Sequence, residues 1–317
     1  MRPPVDFERR IRRSRRRSLR LALLVALGPA FSGLFAGLVI AGWVLFGLAQ
    51  EPGLVSTYWW VFPAVVVGMM VFLMLLDLPV TIWILGHARA LILDGMRARD
   101  PNSLEETMLA DAVSEVCIAA HIGEPSLAVI DERSPNALVV GTPRNAVIVV
   151  TTGLLEILDR AALEAVVGHL VARIIGGDLR YFMFLAATTM NVDDCATPRG
   201  FAAGGVFDAA AAPAKGVARW AISSLSRERA LLADDQAVDL VRDPWSLVTA
   251  LQKIEHDTCE HSGLPRGLAF MFFVDPAYPE TVHNAGNLFY RTLEARRPTQ
   301  SHPAVGERIA HLRALLT

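Results

Sequence analysis

Cysteine is nearly absent from this 317-residue chain: Cys117, Cys195 and Cys259 are the full set, far apart and odd in number. That excludes a disulfide framework and a Cys-x-x-Cys metal clip, and it suits a reducing compartment. Charge is missing where it matters most. Leu21 to Ala49 carries none and Tyr58 to Leu85 carries only Asp77. No small-residue cleavage site leads from the first run into a polar mature chain, so a secretory leader is excluded. No internal repeat occurs. What is present in excess is apolar surface, with 53% hydrophobic residues and a mean hydropathy of +0.38. The net charge of −2 hides an uneven distribution, because nine of the first twenty residues are arginine against only Asp6 and Glu8.

Each uncharged run exceeds the ~20 residues that span a bilayer, and the short link Gln50 to Thr57, with Pro52 and Gly53, predicts a hairpin of two transmembrane helices. Basic residues flank both outer ends (Arg9 to Arg20 before; His87, Arg89, Arg97 and Arg99 after), whereas the link has only Glu51. The positive-inside rule then puts both termini and the main domain in the cytoplasm of a multi-pass protein of the cell membrane. The arginine run reads as a topology signal that also touches anionic lipid, with no nucleic-acid partner. Asp77, late in its span and next to Pro79, reads as a solvated or helix-ending residue. The expected organisation is a basic arm at 1–20, two spans within 21–86 and a cytoplasmic domain at 87–317.

Within that domain, Ser103 to His121 predicts an amphipathic helix capped by Ser103 with Glu106, and stopped at Gly123-Glu-Pro125. Ser126–Ile130, Leu138–Val140 and Ala146–Val150 read as short strands of a small sheet. A helix capped by Asp159 buries Leu163, Val166, Val167, Leu170 and Ile174 and ends at Gly176-Gly177. Tyr181–Met190 and the alanine-rich Phe201–Leu225 are too short or too interrupted for membrane helices. Further helices follow, the last opening near His302-Pro303. Phe270-Met-Phe-Phe273 reads as core. His121, His256, His261, His283 and His311 show no ligand spacing beyond the loose pair His256/His261.

The segment His169-Leu-Val-Ala-Arg173 has the frame of the His-Glu-x-x-His helix, which puts two zinc ligands on one face and a general base between them. Here the base position is Leu170 and the second ligand position is Arg173. Residues four apart share a helix face.

Several blocks together resemble the HtpX-type family of membrane zinc metallopeptidases, heat-shock and prenyl-protein proteases among them. They are Pro135-Asn-Ala137, Val149-Val-Thr-Thr-Gly-Leu-Leu155, Leu163-Glu-Ala-Val-Val-Gly-His169 with Gly177-Asp178, Ser226-Arg-Glu-Arg229 with Ala233-Asp234, and His302-Pro303 with Glu307-Arg308-Ile309. The resemblance implies a mainly α, zincin-like α+β domain with a small β-sheet behind the transmembrane hairpin. It implies a zinc ion held at the positions of His169, Arg173 and Ala230, with Leu170 at the catalytic glutamate and Asp234 and Asp178 in supporting roles. Residues 181–225 stand where relatives often carry another membrane hairpin, here degraded or covering the cleft.

Two of three ligands and the base are thus replaced, and no zinc or other cofactor is expected. Arginine has no lone pair to give, and losing the base alone costs about 10²–10⁴-fold. One reading puts the Arg173 guanidinium at the metal position, paired with Asp234, Asp178 or Glu228; the other has Arg173 snorkelling out of a partly exposed helix. The expected function is that of a pseudopeptidase in membrane protein quality control, an adaptor, regulator or subunit of a membrane complex. It would offer the strand Ala146, Val147, Ile148, Val149, Val150 as an edge to a membrane or unfolded protein. Two alternatives stand beside it. One is an active metalloendopeptidase with zinc on His169, His302 and Asp234 and Glu228 as base. The other is a purely structural membrane subunit whose cleft is filled by its own side chains.

Overall fold

The computed structural model describes residues 27–48, 50, 58–189, 226–257, 263–276 and 302–315. The N-terminal arginines, Cys195, Cys259, His261, His283 and most of 181–225 lie outside these.

The two apolar runs form α1 (Gly28–Leu48) and α2 (Val61–Gly95), each long and apolar enough to cross a membrane. They pack through glycines. A Cβ on Gly33 would sit 2.5 Å from the Met70 Cα, and one on Gly37 2.8 Å from the Val66 Cα. This small-xxx-small spacing lets two backbones meet in lipid. Helix α2 continues through Pro79, which removes the helix-ending reading of Asp77. It runs 35 residues, about 52 Å at 1.5 Å per residue, and its last turns enter the domain, where Ala88 and Ile92 are fully buried. Asp77 is therefore mid-helix, accepting from the Thr81 hydroxyl at 2.9 Å.

Helix α3 (Ser103–Ala120) begins one residue earlier than its sequence suggested. Asn102 is the cap, its Oδ1 accepting from the Leu104 and Glu105 N–H groups, and the Glu105 carboxylate accepts from the Asn102 N–H at 2.8 Å. The register shifts because Arg99 holds Glu105 by a bidentate pair at 2.8 and 2.9 Å and also grips Asp131. Cys117 is buried on this helix, and that burial, with Glu124 second, pushes its thiol up to about 11, so it is inert.

Three strands follow, β1 (Ser126–Ile130), β2 (Ala137–Val140) and β3 (Val147–Thr151), in the order β1-β3-β2. β3 pairs parallel with β1, Leu127 opposite Ile148, and antiparallel with β2, Leu138 opposite Val149. This overturns the expectation that Ala146–Val150 is an edge. An unbroken apolar run covered on both faces belongs in the middle of a sheet, and every residue of β3 is buried.

Helices α4 (Thr152–Ile157) and α5 (Arg160–Ile175) come next. Asp159 caps α5 by accepting from the Ala162 N–H, and Gly177 leaves it with φ 77°. Apolar nearly all round, α5 is the central helix, packed between α3, β2 and α8 (Pro244–His256). The remaining pieces are α6 (Asp178–Thr189), which lies against α2, α7 (residues 226–241), the 3-10 turn Arg266–Met271 and α9 (Val305–Ala314). A small three-stranded sheet in a mainly helical domain, with two apolar helices ahead of it, is the architecture the sequence indicated.

Backbone contact in the hairpin makes a specific prediction. Gly33→Leu is expected to destabilise the protein in detergent by about 1–3 kcal/mol through overpacking, whereas Gly42→Leu, with nothing within 4 Å, leaves the melting temperature unchanged.

Candidate functional site

The centre of the domain holds charge. α5 carries His169 and Arg173 one turn apart, 1% and 5% exposed, α7 brings the fully buried Asp234, α9 brings Arg308 at 1%, and His302 just ahead of α9 is 6% exposed. Placing charges here is costly unless each is paired and hydrogen-bonded, so the bonds decide the arrangement.

Asp234 is the hub. Its Oδ1 accepts from His169 Nδ1 at 2.7 Å and Arg308 Nη2 at 2.7 Å, while its Oδ2 accepts from Arg308 Nε at 2.8 Å. Burial pushes this carboxyl up, but the Arg308 charge and the bonds from His169 and Arg308 outweigh it, holding the group well below the usual carboxylate range. Arg308 turns its third nitrogen, Nη1, to the Phe273 carbonyl at 2.7 Å and lays its guanidinium 4.5 Å from the Phe273 ring centroid. The edge of His169 meets the same ring. Burial lowers His169 to about 4 against the pull of Asp234. The ring is therefore neutral at pH 7, with its proton on Nδ1 toward the carboxylate and a lone pair on Nε2.

Arg173 does not reach Asp234. Its Nη1 donates to the Met271 carbonyl at 2.5 Å and, more weakly, to Phe272 at 3.4 Å, and its Nη2 donates to Phe270 at 3.2 Å. The Phe182 ring of α6 covers its face at 4.5 Å. The pairing with Asp234 and the snorkelling reading are corrected: Arg308 occupies that carboxylate through a bidentate fork, and Arg173 is buried beneath the Phe182 ring. Burial lowers Arg173 to about 9, with the Arg308 charge second, so it stays protonated at neutral pH.

His302 commits one ring nitrogen to the main chain. Its Nε2 donates to the Phe272 carbonyl at 2.8 Å, and burial, then Arg173 and Arg308, lower it to about 3. Glu228 lies half-buried near the start of the described part of α7, and the side chain of Asp178 is outside the description. Ala230 is buried one turn before Asp234, and Leu170 is fully buried in the core. Among the described residues, no three His, Cys, Asp or Glu side chains are arranged to hold a metal ion. His256 bonds the Gln252 carbonyl, and His311 bonds Asp235 at 2.7 Å. The Phe270–Phe273 run is core, as its composition suggested.

Sequence reasoning missed Arg308 and the backbone role of 270–273. The one available signal was the block Glu307-Arg308-Ile309, which marked kinship without revealing a partner 74 residues away.

Residues 103–316 match peptidase family M48. A protease HtpX homolog of Streptococcus gordonii is 28% identical over 240 residues, covering 69% of this chain and 76% of its own length. That of Dictyoglomus turgidum is 31% identical over 241 residues, covering 71% and 75%, and that of Levilactobacillus brevis 26% identical over 304, covering 86% and 95%. This chain belongs to peptidase family M48.

Removing one member of the hub strands the other. Arg308→Met is expected to cost about 3–5 kcal/mol, the penalty of an uncompensated buried charge, read as a lowered melting temperature. Histidine burial sets the pH dependence. With folded values of about 4 and about 3 against 6.5, the unfolded chain binds more protons below neutrality. This contribution is fully present above about pH 6.5 and is lost as pH falls toward 4, by about 1.4 kcal/mol per pH unit for each ring. Thermal unfolding between pH 7 and 4.5 should show it, with a shallower slope in His302→Gln.

Proposed function

We propose that this M48-family protein is a membrane-anchored pseudopeptidase, with an adaptor, regulatory or subunit role in a membrane complex in place of peptide hydrolysis. The observation that carries the reading is Arg173. At the position where the family resemblance implies a second zinc-binding histidine stands a buried guanidinium, already bonded to three backbone carbonyls.

The donor chemistry does not fit zinc. Such a site takes thiolate, imidazole or carboxylate donors. Here His169 Nε2 is one, Arg173 and Ala230 offer no lone pair, and the Asp234 carboxylate is neutralised by Arg308. Arg173 also opposes a cation: at 4 Å and an effective dielectric of 20, a unit charge repels each unit of positive charge by about 4 kcal/mol. Leu170 cannot accept a proton from water. No hydrolytic step can be routed through these residues. What they do is bond and neutralise one another, which suits a fold retained for what it presents rather than what it cleaves.

The two apolar helices support membrane anchoring. The arginines before the first span and after the second favour a cytoplasmic domain. The partner surface is not β3, which is interior to the sheet.

Metal analysis of protein purified in mild detergent and dialysed against zinc-containing buffer tests the loss of the site. The expected result is far less than one zinc per chain, with no chelator-sensitive cleavage of an unfolded membrane protein. Stoichiometric zinc that disappears in His169→Ala would overturn the reading in favour of an active peptidase. Cross-linking in native membranes before purification tests the adaptor role, for which a reproducible membrane-protein partner is expected.

A further inference from the structure

Four successive carbonyls, from Phe270 to Phe273, are each taken by a buried side chain from elsewhere in the chain. Arg173 takes Phe270 and Met271, His302 takes Phe272, and Arg308 takes Phe273. Away from these helices the same segment meets β2. The Phe273 N–H donates to the Ala137 carbonyl at 2.7 Å, and Leu138 and Phe272 form an antiparallel bridge. Asn136 extends the pairing with its side chain, accepting from the Val274 N–H at 3.2 Å and donating to the Val274 carbonyl at 2.8 Å. With β3 on its other side, β2 has one outer edge, and residues 272–274 lie on it. At the opposite side of the sheet, β1 exchanges backbone bonds with Arg99 at Val129, at 2.9 and 2.8 Å.

We propose that residues 272–274, where the chain leaves the 3-10 turn, are an edge segment the chain supplies to itself, closing the β2 edge against strand addition by another polypeptide, and that Arg173, which bonds the carbonyls of Phe270, Met271 and Phe272, is its latch. An outer edge is a template for an extended peptide, so whatever occupies it decides whether the sheet can take a partner. Arg173 supplies three of the five bonds to these carbonyls from a single guanidinium, and its planar fork is suited to adjacent oxygens. Its loss would leave the Phe270 and Met271 carbonyls buried and unsatisfied. The strap then has only the β2 contacts, one bond each from His302 and Arg308, and its own packing. With the latch engaged, a partner's extended segment finds this edge filled. This inference rests on hydrogen-bond geometry and stands apart from metal content, so the two can fail separately.

The test is hydrogen exchange on the full-length protein in detergent, comparing wild type with Arg173→Met, which keeps an unbranched apolar stem without donors. The Phe273 and Val274 amides should be protected in wild type. In the variant they should exchange about tenfold faster or more, a change of about 1.4 kcal/mol, while Val147–Thr151 stay protected. A soluble tagged peptide with the sequence of residues 268–276 should bind the variant and not the wild type. Should Arg173→Met unfold, Asn136→Ala loosens the same strap from the β2 side and is expected to speed Val274 exchange. Unchanged exchange at Phe273 and Val274 in the folded variants, or equal peptide binding by wild type and Arg173→Met, would overturn the proposal.

Discussion

One carboxylate organises this domain. Asp234 is buried beyond the reach of water, and a charge there persists only because Arg308 supplies a two-pronged bond and His169 a third donor. The carboxylate and its two partners come from three helices widely separated in sequence, so satisfying one residue fixes α5, α7 and α9 against each other. The aromatic rings follow: Phe273 is shared between His169 and Arg308, which places the end of the 3-10 turn, and so the segment that Arg173 bonds.

Hydrogen bonds from guanidinium groups, together with their aromatic contacts, hold the charged centre of this domain. A metal ion draws its ligands in by coordination at fixed short distances. Guanidinium groups hold their neighbours by directional hydrogen bonds and by lying over aromatic faces, as Arg173 does on Phe182. Such bonds reach main-chain oxygens as readily as carboxylates. Among the described residues, the hydrogen-bond partners of Arg173 are main-chain carbonyls. The cluster's charges, Arg173 and Arg308 against Asp234, leave one positive charge in excess, and carbonyl dipoles together with the Phe182 ring solvate it.

Much of the architecture was legible because it follows from local rules. Asp159 as a cap, Ser126–Ile130 as a strand and the buried face of α5 are properties of short windows, and they stand as read. The His169–Asp234 contact was legible only through kinship, since nothing local links residues 65 apart. The misreadings share a cause. Arg173 was assigned to Asp234 because complementary charge is visible in a sequence, whereas competition from Arg308 and the availability of main-chain carbonyls are not. The resemblance implied β3 as an edge, and its apolar run shows burial but not the order of neighbours, which depends on a parallel crossover from β1 through β2. The cap of α3 moved from Ser103 to Asn102, where Glu105, held by the Arg99 guanidinium just ahead of the helix, completes the capping box.

Helix α2 has a mechanical meaning. It passes from the apolar hairpin into the folded core without a linker, and Ala88 and Ile92 are as deeply embedded as any strand residue. A flexible tether lets a tethered domain swivel; an uninterrupted helix behaves as a stiff rod on that scale. Tilting or rotating the hairpin would therefore transmit torque to α6, which rests on the rod, and through Phe182 to the guanidinium of Arg173. Hairpin and domain interior thus share one continuous element rather than two joined parts.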